Sequence, residues 1–289
     1  MRIFVGRCAI LIVLCAAGCT PAGSTRTLPP APATPEPGVQ PVSTGPWRFS
    51  YAPGTHGYVV RSNATIEAVE SGALDSVQSV AHLTYELIPA GEELLISGTI
   101  DSFTVNVGDS VPQPMHVLSF PIVFSGRMDE AGQILEFTSP DTSTCGSAAG
   151  ALLGIARELL VAVPEQLTVG ETWQDSTSTT SCRGDIPMTV STTRHYQVEE
   201  QVDSSGIAVL RITRRSDLAM HGTGTRPIQA TTVNGTGTGM MELFLDPLTG
   251  TFDHAAGESL TTLTFDAASR RETFLQRVRL TIERLASPN

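Results

Sequence analysis

From residue 47 onward, apolar and polar positions alternate over most of the chain, the two-residue period of half-buried β-strands. Across 80–87, Leu83, Tyr85 and Leu87 share one face while His82, Thr84 and Glu86 share the other. Pro89-Ala90-Gly91 then interrupts the pattern. The apolar positions that follow are even-numbered at Leu94, Ile96 and Ile100 but odd-numbered at Phe103, Val105 and Val107. A change of parity inside one strand needs an extra residue, so a β-bulge that bends the sheet is predicted near Asp101. Further alternation marks strands at 117–124, 190–202, 207–212, 241–245 and 261–265. Residues 274–285 fit two periods: Phe274, Val278, Leu280 and Ile282 alternate with polar residues, whereas Phe274, Val278, Ile282 and Leu285 would line a helix. The β-branched Val278, Thr281 and Ile282 favour a strand.

Three short segments repeat one turn chemistry: Asp129-Glu130-Ala131-Gly132, Asp203-Ser204-Ser205-Gly206 and Asp246-Pro247-Leu248-Thr249-Gly250. Each lies between alternating runs, with an aspartate able to cap the turn and a glycine able to take positive φ. They predict hairpins of an antiparallel meander. None carries the ladder of carboxylates that a calcium loop requires. One stretch departs from the pattern. In 147–163, Leu152, Ile155, Ala156, Leu159 and Val163 follow helical spacing, Pro164 stops the run, and Arg157 and Glu158 are its only charges. A mostly buried helix packed on a sheet is expected there. The fold class expected is mainly β (α+β), a curved antiparallel sheet or half-barrel packed on one central helix, forming a single domain over 47–289.

The first residues read differently. Arg2 and Arg7 accompany the apolar stretch 8–17, which is too short to span a bilayer, and Ala16, Ala17 and Gly18 lead directly into Cys19. This segment resembles a bacterial lipobox, with Ala16 where leucine is commonest. The resemblance implies a signal peptide over 1–18, cleavage between Gly18 and Cys19, diacylglyceryl transfer to the Cys19 thiol and acylation of the new N-terminus. Several acyl chains hold a protein at a membrane where one is marginal. An ordinary cleaved signal peptide with an incidental cysteine is the alternative. Residues 20–46 are Pro, Ala, Ser, Thr and Gly with almost nothing large and apolar, too little to offset the entropy of ordering. With Cys19 they make a 19–46 tether, which at about 3.1 Å per residue would reach roughly 80 Å. A Pro-rich recognition ligand is the weaker reading of the same stretch.

Composition narrows the partners. The 289 residues include 18 basic side chains, all arginine, against 29 acidic ones, for a formal charge of −11. Removing Arg2 and Arg7 with the signal takes it to −13. Such a surface disfavours nucleic acid and anionic headgroups. Of five cysteines, Cys8 and Cys15 lie in the signal and Cys19 is the lipid site, which leaves Cys145 and Cys182 for one disulfide in an oxidising compartment.

Catalytic signals are lacking. No HExxH, GxSxG, Walker or SxxK motif occurs, and the absence of lysine rules out the last two. His56, His82, His116, His195, His221 and His254 are dispersed, without metal-ligand spacing. The glycines of Gly235-Thr236-Gly237-Thr238-Gly239 lack the following helix and basic partner of a phosphate cradle. They are expected instead to clear one face of a strand for the 147–163 helix or a ligand. Asn63-Ala64-Thr65 and Asn234-Gly235-Thr236 match the glycosylation sequon, a pattern common by chance. Trp173, in Leu167-Thr168-Val169-Gly170-Glu171-Thr172-Trp173, is either a cavity gate or a core-edge residue; Val107-Gly108-Asp109-Ser110 repeats its turn.

The order of elements, with the Leu167–Trp173 segment after the helix, resembles bacterial lipoproteins of the half-barrel type, the lipoprotein-carrier and LppX-like group, and uncharacterised lipoprotein families. That resemblance implies a curved sheet around a helix, with an apolar cavity able to hold an acyl chain. Leu152, Ile155, Leu159, Trp173, Gly235 and Gly237 are the candidate lining. The expectation is a lipid-anchored, non-enzymatic cell-envelope protein facing the periplasm or exterior, without cofactor or metal. Its partners would be the membrane, through Cys19, and a lipid or other apolar ligand, with no nucleic acid and no identifiable protein partner. Alternatives are an interaction or scaffolding module with a filled core and, less favoured, an envelope hydrolase.

Overall fold

A computed structural model describes residues 45–108, 113–114, 120–139, 149–183, 186–204, 206–226, 229–268 and 270–285. Gly18, Cys19, the tether to residue 44, and Cys145 lie outside the described residues. The elements run β1 (Trp47–Arg48), β2 (Gly54–Ala68), β3 (Ala73–Ala90), β4 (Glu93–Val107), β5 (Gln113–Pro114), β6 (Ile122–Asp129) and β7 (Ile134–Thr138). Then come α1 (Ala149–Arg157), β8 (Gln166–Leu167), β9 (Thr172–Arg183), β10 (Ile186–Ser204), β11 (Ile207–Arg226), β12 (Gln229–Asp246), β13 (Thr251–Ala267) and β14 (Arg270–Arg284).

One antiparallel sheet takes nearly all of these strands, in the order β7-β6-β4-β3-β2-β14-β13-β12-β11-β10-β9, with β5 beside β4; β1 pairs separately with β8. It is an antiparallel half-barrel made of two meanders. They join where β14 meets β2, with Val278 opposite Ala64 and Leu280 opposite Ser62. The strands are long: β11 has 20 residues, against the usual five or six. A single connection, 139–171, leads from β7 at one edge to β9 at the other and carries α1 and β8.

The alternation read from the sequence is what the pleat buries. Leu83, Tyr85 and Leu87 are core residues, as are Ile96, Ile100 and Phe103 on β4. The bulge lies where the parity change places it. His82 pairs with Ser102 and Leu83 with Ile100, leaving Asp101 as the extra residue. Its carboxylate accepts hydrogen bonds from Thr99 Oγ1 at 2.7 Å and Thr84 Oγ1 at 3.1 Å. All three aspartate turns are hairpins. Asp129 Oδ1 takes the Gln133 amide and Asp203 Oδ1 the Gly206 amide, each at 2.8 Å. Asp246 Oδ1 takes the Leu248 amide at 2.9 Å, and Gly206 and Gly250 close their turns at φ 86° and 65°. Residues 274–284 are strand, the reading that their β-branched side chains favour.

The central helix expected over 147–163 is corrected. α1 is only nine residues, Ala149–Arg157, and the chain tightens at once: Leu159 N bonds Ala156 O and Leu160 N bonds Arg157 O. Beyond it the chain is not helical, because other elements take its backbone groups. The Tyr51 hydroxyl bonds both the amide and the carbonyl of Val161, and Val163 N donates to Ala131 O at 2.8 Å. Pro164 adds its own restriction on Val163. Helical spacing here reflects burial rather than helix: Leu159, Leu160, Val161 and Val163 are all buried in the main core with strand side chains such as Tyr58, Leu83, Phe124 and Leu243.

Ion pairs bridge the strands on the outer face of β2, β13 and β14. Arg61 pairs with Glu283 between β2 and β14, and Glu258 on β13 holds both Arg277 and Arg279 of β14 at 2.8 and 3.0 Å. Lipid-facing strands present an apolar band instead. No helix among the described residues is long and apolar enough to cross a membrane.

Candidate functional site

Charged side chains converge on the inner face of β9, β10 and β11, where the connection after α1 passes beneath them. Register brings them together. Tyr196 on β10 lies opposite both Arg214 on β11 and Trp173 on β9, and Arg194 lies opposite Asp175. With a two-residue period, these side chains stand on one face in successive rows. Glu158, one residue past α1, reaches into them. Arg194 Nη2 lies 2.8 Å from Glu158 Oε1, and Arg214 Nη2 lies 2.7 Å from Glu158 Oε2. Arg194 Nη1 also contacts Asp175 Oδ1 at 3.3 Å and Thr177 Oγ1 at 3.2 Å, while the Tyr196 hydroxyl donates to Asp175 Oδ2 at 2.9 Å.

Electrostatics fix the protonation states. Burial pushes the Glu158 carboxyl up, but Arg214 and Arg194 outweigh it and bring its pKa down to about 2. Burial also raises the Tyr196 phenol, which stays neutral and donates. Burial lowers the Arg157 guanidinium, and neighbouring Arg194 lowers it further. Arg157 stacks over Phe137, 5.7 Å from the ring centre, and forms no ion pair within 4.0 Å among the described residues.

These groups border a cavity of about 300 Å³ lined by Arg157, Glu158, Asp175, Arg194, Tyr196 and Arg214 among others. A second depression of about 500 Å³ lies over the convex side of the same strands, with Gln174, His195, Gln197 and Arg215 around it. No three His, Cys, Asp or Glu side chains gather as metal ligands among the described residues.

The candidate apolar lining is not assembled around either space. Ile155 and Leu159 are core side chains, buried against strands, and do not border the 300 Å³ cavity. Leu152 lies in α1, its side chain outside those described. Gly235 and Gly237 make room for the neighbouring strand rather than for a helix or ligand: an added Cβ would meet Leu263 Cδ2 at 2.6 Å and Thr261 Oγ1 at 2.6 Å. Trp173 borders the convex depression, stacks on Tyr196 at 4.9 Å and 5°, and donates from its indole to Ala162 O at 2.8 Å. It is a core-edge residue. The charged cluster had a signal in the sequence, since Arg214 falls in phase with Leu210, Ile212 and Leu218, and Arg194 with Val190 and Val198. A cation in the apolar phase of a strand requires a buried partner.

No family model and no curated protein matches the sequence. Among solved structures, the chain is similar to an outer membrane channel from Pseudomonas putida F1, at 12% identity and a TM-score of 0.28 over 84% of this chain and 100% of that one.

Proposed function

We propose that this protein is a lipid-anchored envelope module without enzymatic activity, whose half-barrel is filled by its own side chains and does not carry an acyl chain. The observation that favours a filled interior is the connection after α1. Leu159, Leu160, Val161 and Val163 occupy the apolar part of the concave face, where a hydrocarbon chain would have to lie. The cavity beside them mixes apolar side chains with ion pairs, whose desolvation by hydrocarbon would go uncompensated. Anchoring is argued from the lipobox-like segment ending at Cys19 and the Pro-rich stretch after it. The ion-paired outer face of β2, β13 and β14 agrees with a domain held at a membrane surface rather than one inserted in it.

Native mass spectrometry of the full chain, extracted in mild detergent, tests the filled interior. The expected mass carries only the acyl groups covalently attached to Cys19, before and after phospholipid or fatty acid is offered. A bound lipid released by organic extraction would restore the carrier reading. Labelling with radioactive palmitate tests the anchor separately: the label should be incorporated and be lost in Cys19→Ser.

A further inference from the structure

The charges around the 300 Å³ cavity do not balance. Three guanidinium groups, Arg157, Arg194 and Arg214, face two carboxylates, Glu158 and Asp175, among the described lining residues. Tyr196, neutral, adds nothing. Arg194 and Arg214 spend their pairing on Glu158 and Asp175, so the surplus falls on Arg157. Arg214 is 2% exposed, and its Nε is buried without a hydrogen-bond partner, as is the Nε of Arg157. Those two Nε atoms are sealed within the protein, so a ligand in the cavity would meet the charge of Arg157 rather than these donors.

We infer that the cavity is a binding site for a small carboxylate. A carboxylate supplies the single negative charge that is missing. Its two oxygens match the planar fork of a guanidinium, and it fits within about 300 Å³. Glu158 and Asp175 preset the site by holding Arg194 and Arg214 in place, so binding requires little ordering. Charged and polar side chains make up much of the wall, so a long hydrocarbon tail would desolvate them without compensation. The ligand is therefore a short carboxylic acid or an exposed carboxylate of comparable size.

The full chain in mild detergent, at neutral pH and constant ionic strength maintained with chloride, would be titrated with acetate, succinate and octanoate. Tryptophan fluorescence serves as readout, because Trp173 stacks on Tyr196 of the cavity wall. Acetate and succinate should give a saturable change and raise the melting temperature, with octanoate binding no more tightly than acetate. Arg157→Gln, which breaks no ion pair among the described residues, should keep the fold and weaken binding about tenfold to a hundredfold. Arg157→Lys should recover part of that loss. The site is overturned by a response no greater than that to chloride, by an equal response in Arg157→Gln, or by affinity that climbs with chain length to octanoate.

Discussion

Tyr51 and Val161, 110 positions apart, exchange two hydrogen bonds: the phenol donates to the Val161 carbonyl at 2.8 Å and accepts from the Val161 amide at 2.9 Å. The hydroxyl thus does for Val161 what a neighbouring strand would do, in a site from which water is excluded. Gly132 lies against the same ring, where a Cβ would meet Tyr51 Cε2 at 2.3 Å. Tyr51→Phe keeps the ring and removes both bonds, stranding a buried donor and acceptor. The expected loss is about 1–3 kcal/mol per group left unmade, with at least part of that recovered by relaxation. Urea denaturation should show a lower midpoint with an unchanged slope. An unchanged midpoint would mean that the connection is held by its apolar side chains and its other polar ties, without help from the phenol.

Glu158 carries the heavier load, since it neutralises two guanidinium groups. Glu158→Gln leaves Arg214 as a buried cation without a partner, at an expected cost of about 3–5 kcal/mol. The pH dependence offers an independent check. The folded-state carboxyl, at about 2, lies below its ordinary 4.5, so its contribution is present above 4.5 and is lost as pH falls toward about 2. The stability gap between wild type and variant should therefore narrow steadily between those pH values. A constant gap would assign the effect to packing instead of charge.

His56 should act in a milder range. Burial, followed by the charge of Arg284, lowers its pKa from the ordinary 6.5, and neither ring nitrogen makes a well-formed hydrogen bond beside Tyr85. Because the unfolded chain takes up the proton first, stability is full above 6.5 and declines as pH falls below it. His56→Phe should flatten the part of the stability profile just below that pH. Urea midpoints measured on either side of it, for both proteins, decide the matter. Equal slopes would place the titrating group elsewhere.

The strands were legible because one rule generated them. Period two, the Asp101 parity change and the aspartate-glycine turns each report local backbone geometry, and they reappear as pairing or hairpins, except that of the run 117–124 only 122–124 is strand and 117–119 lie outside the described residues. The connection after α1 was misread because a segment buried from several sides is apolar throughout, and such a run can imitate helical spacing. The backbone beyond the helix is held by distant groups, the Tyr51 hydroxyl and the Ala131 carbonyl, which no local pattern can announce. The cluster around Glu158 was half visible. Arg194 and Arg214 broke the apolar phase of their strands, but the shared carboxylate came from another element.

Cys182 stands near the end of β9, opposite Pro187, and is disulfide-bonded. Its partner is outside the described residues. If processing removes Cys8 and Cys15 and acylates Cys19, Cys145 is the cysteine that remains. A bridge from it would tie the segment before α1 to the end of edge strand β9 remote from Thr172, where the connection enters. Peptide mapping without reductant should yield a fragment joining Cys145 to Cys182 that separates on reduction. Replacing both with serine should lower stability by about 3–4 kcal/mol on the chain-entropy estimate for the 37-residue separation. Recovery of Cys145 as a free thiol would remove this bridge and with it the proposed fastening of the connection to β9.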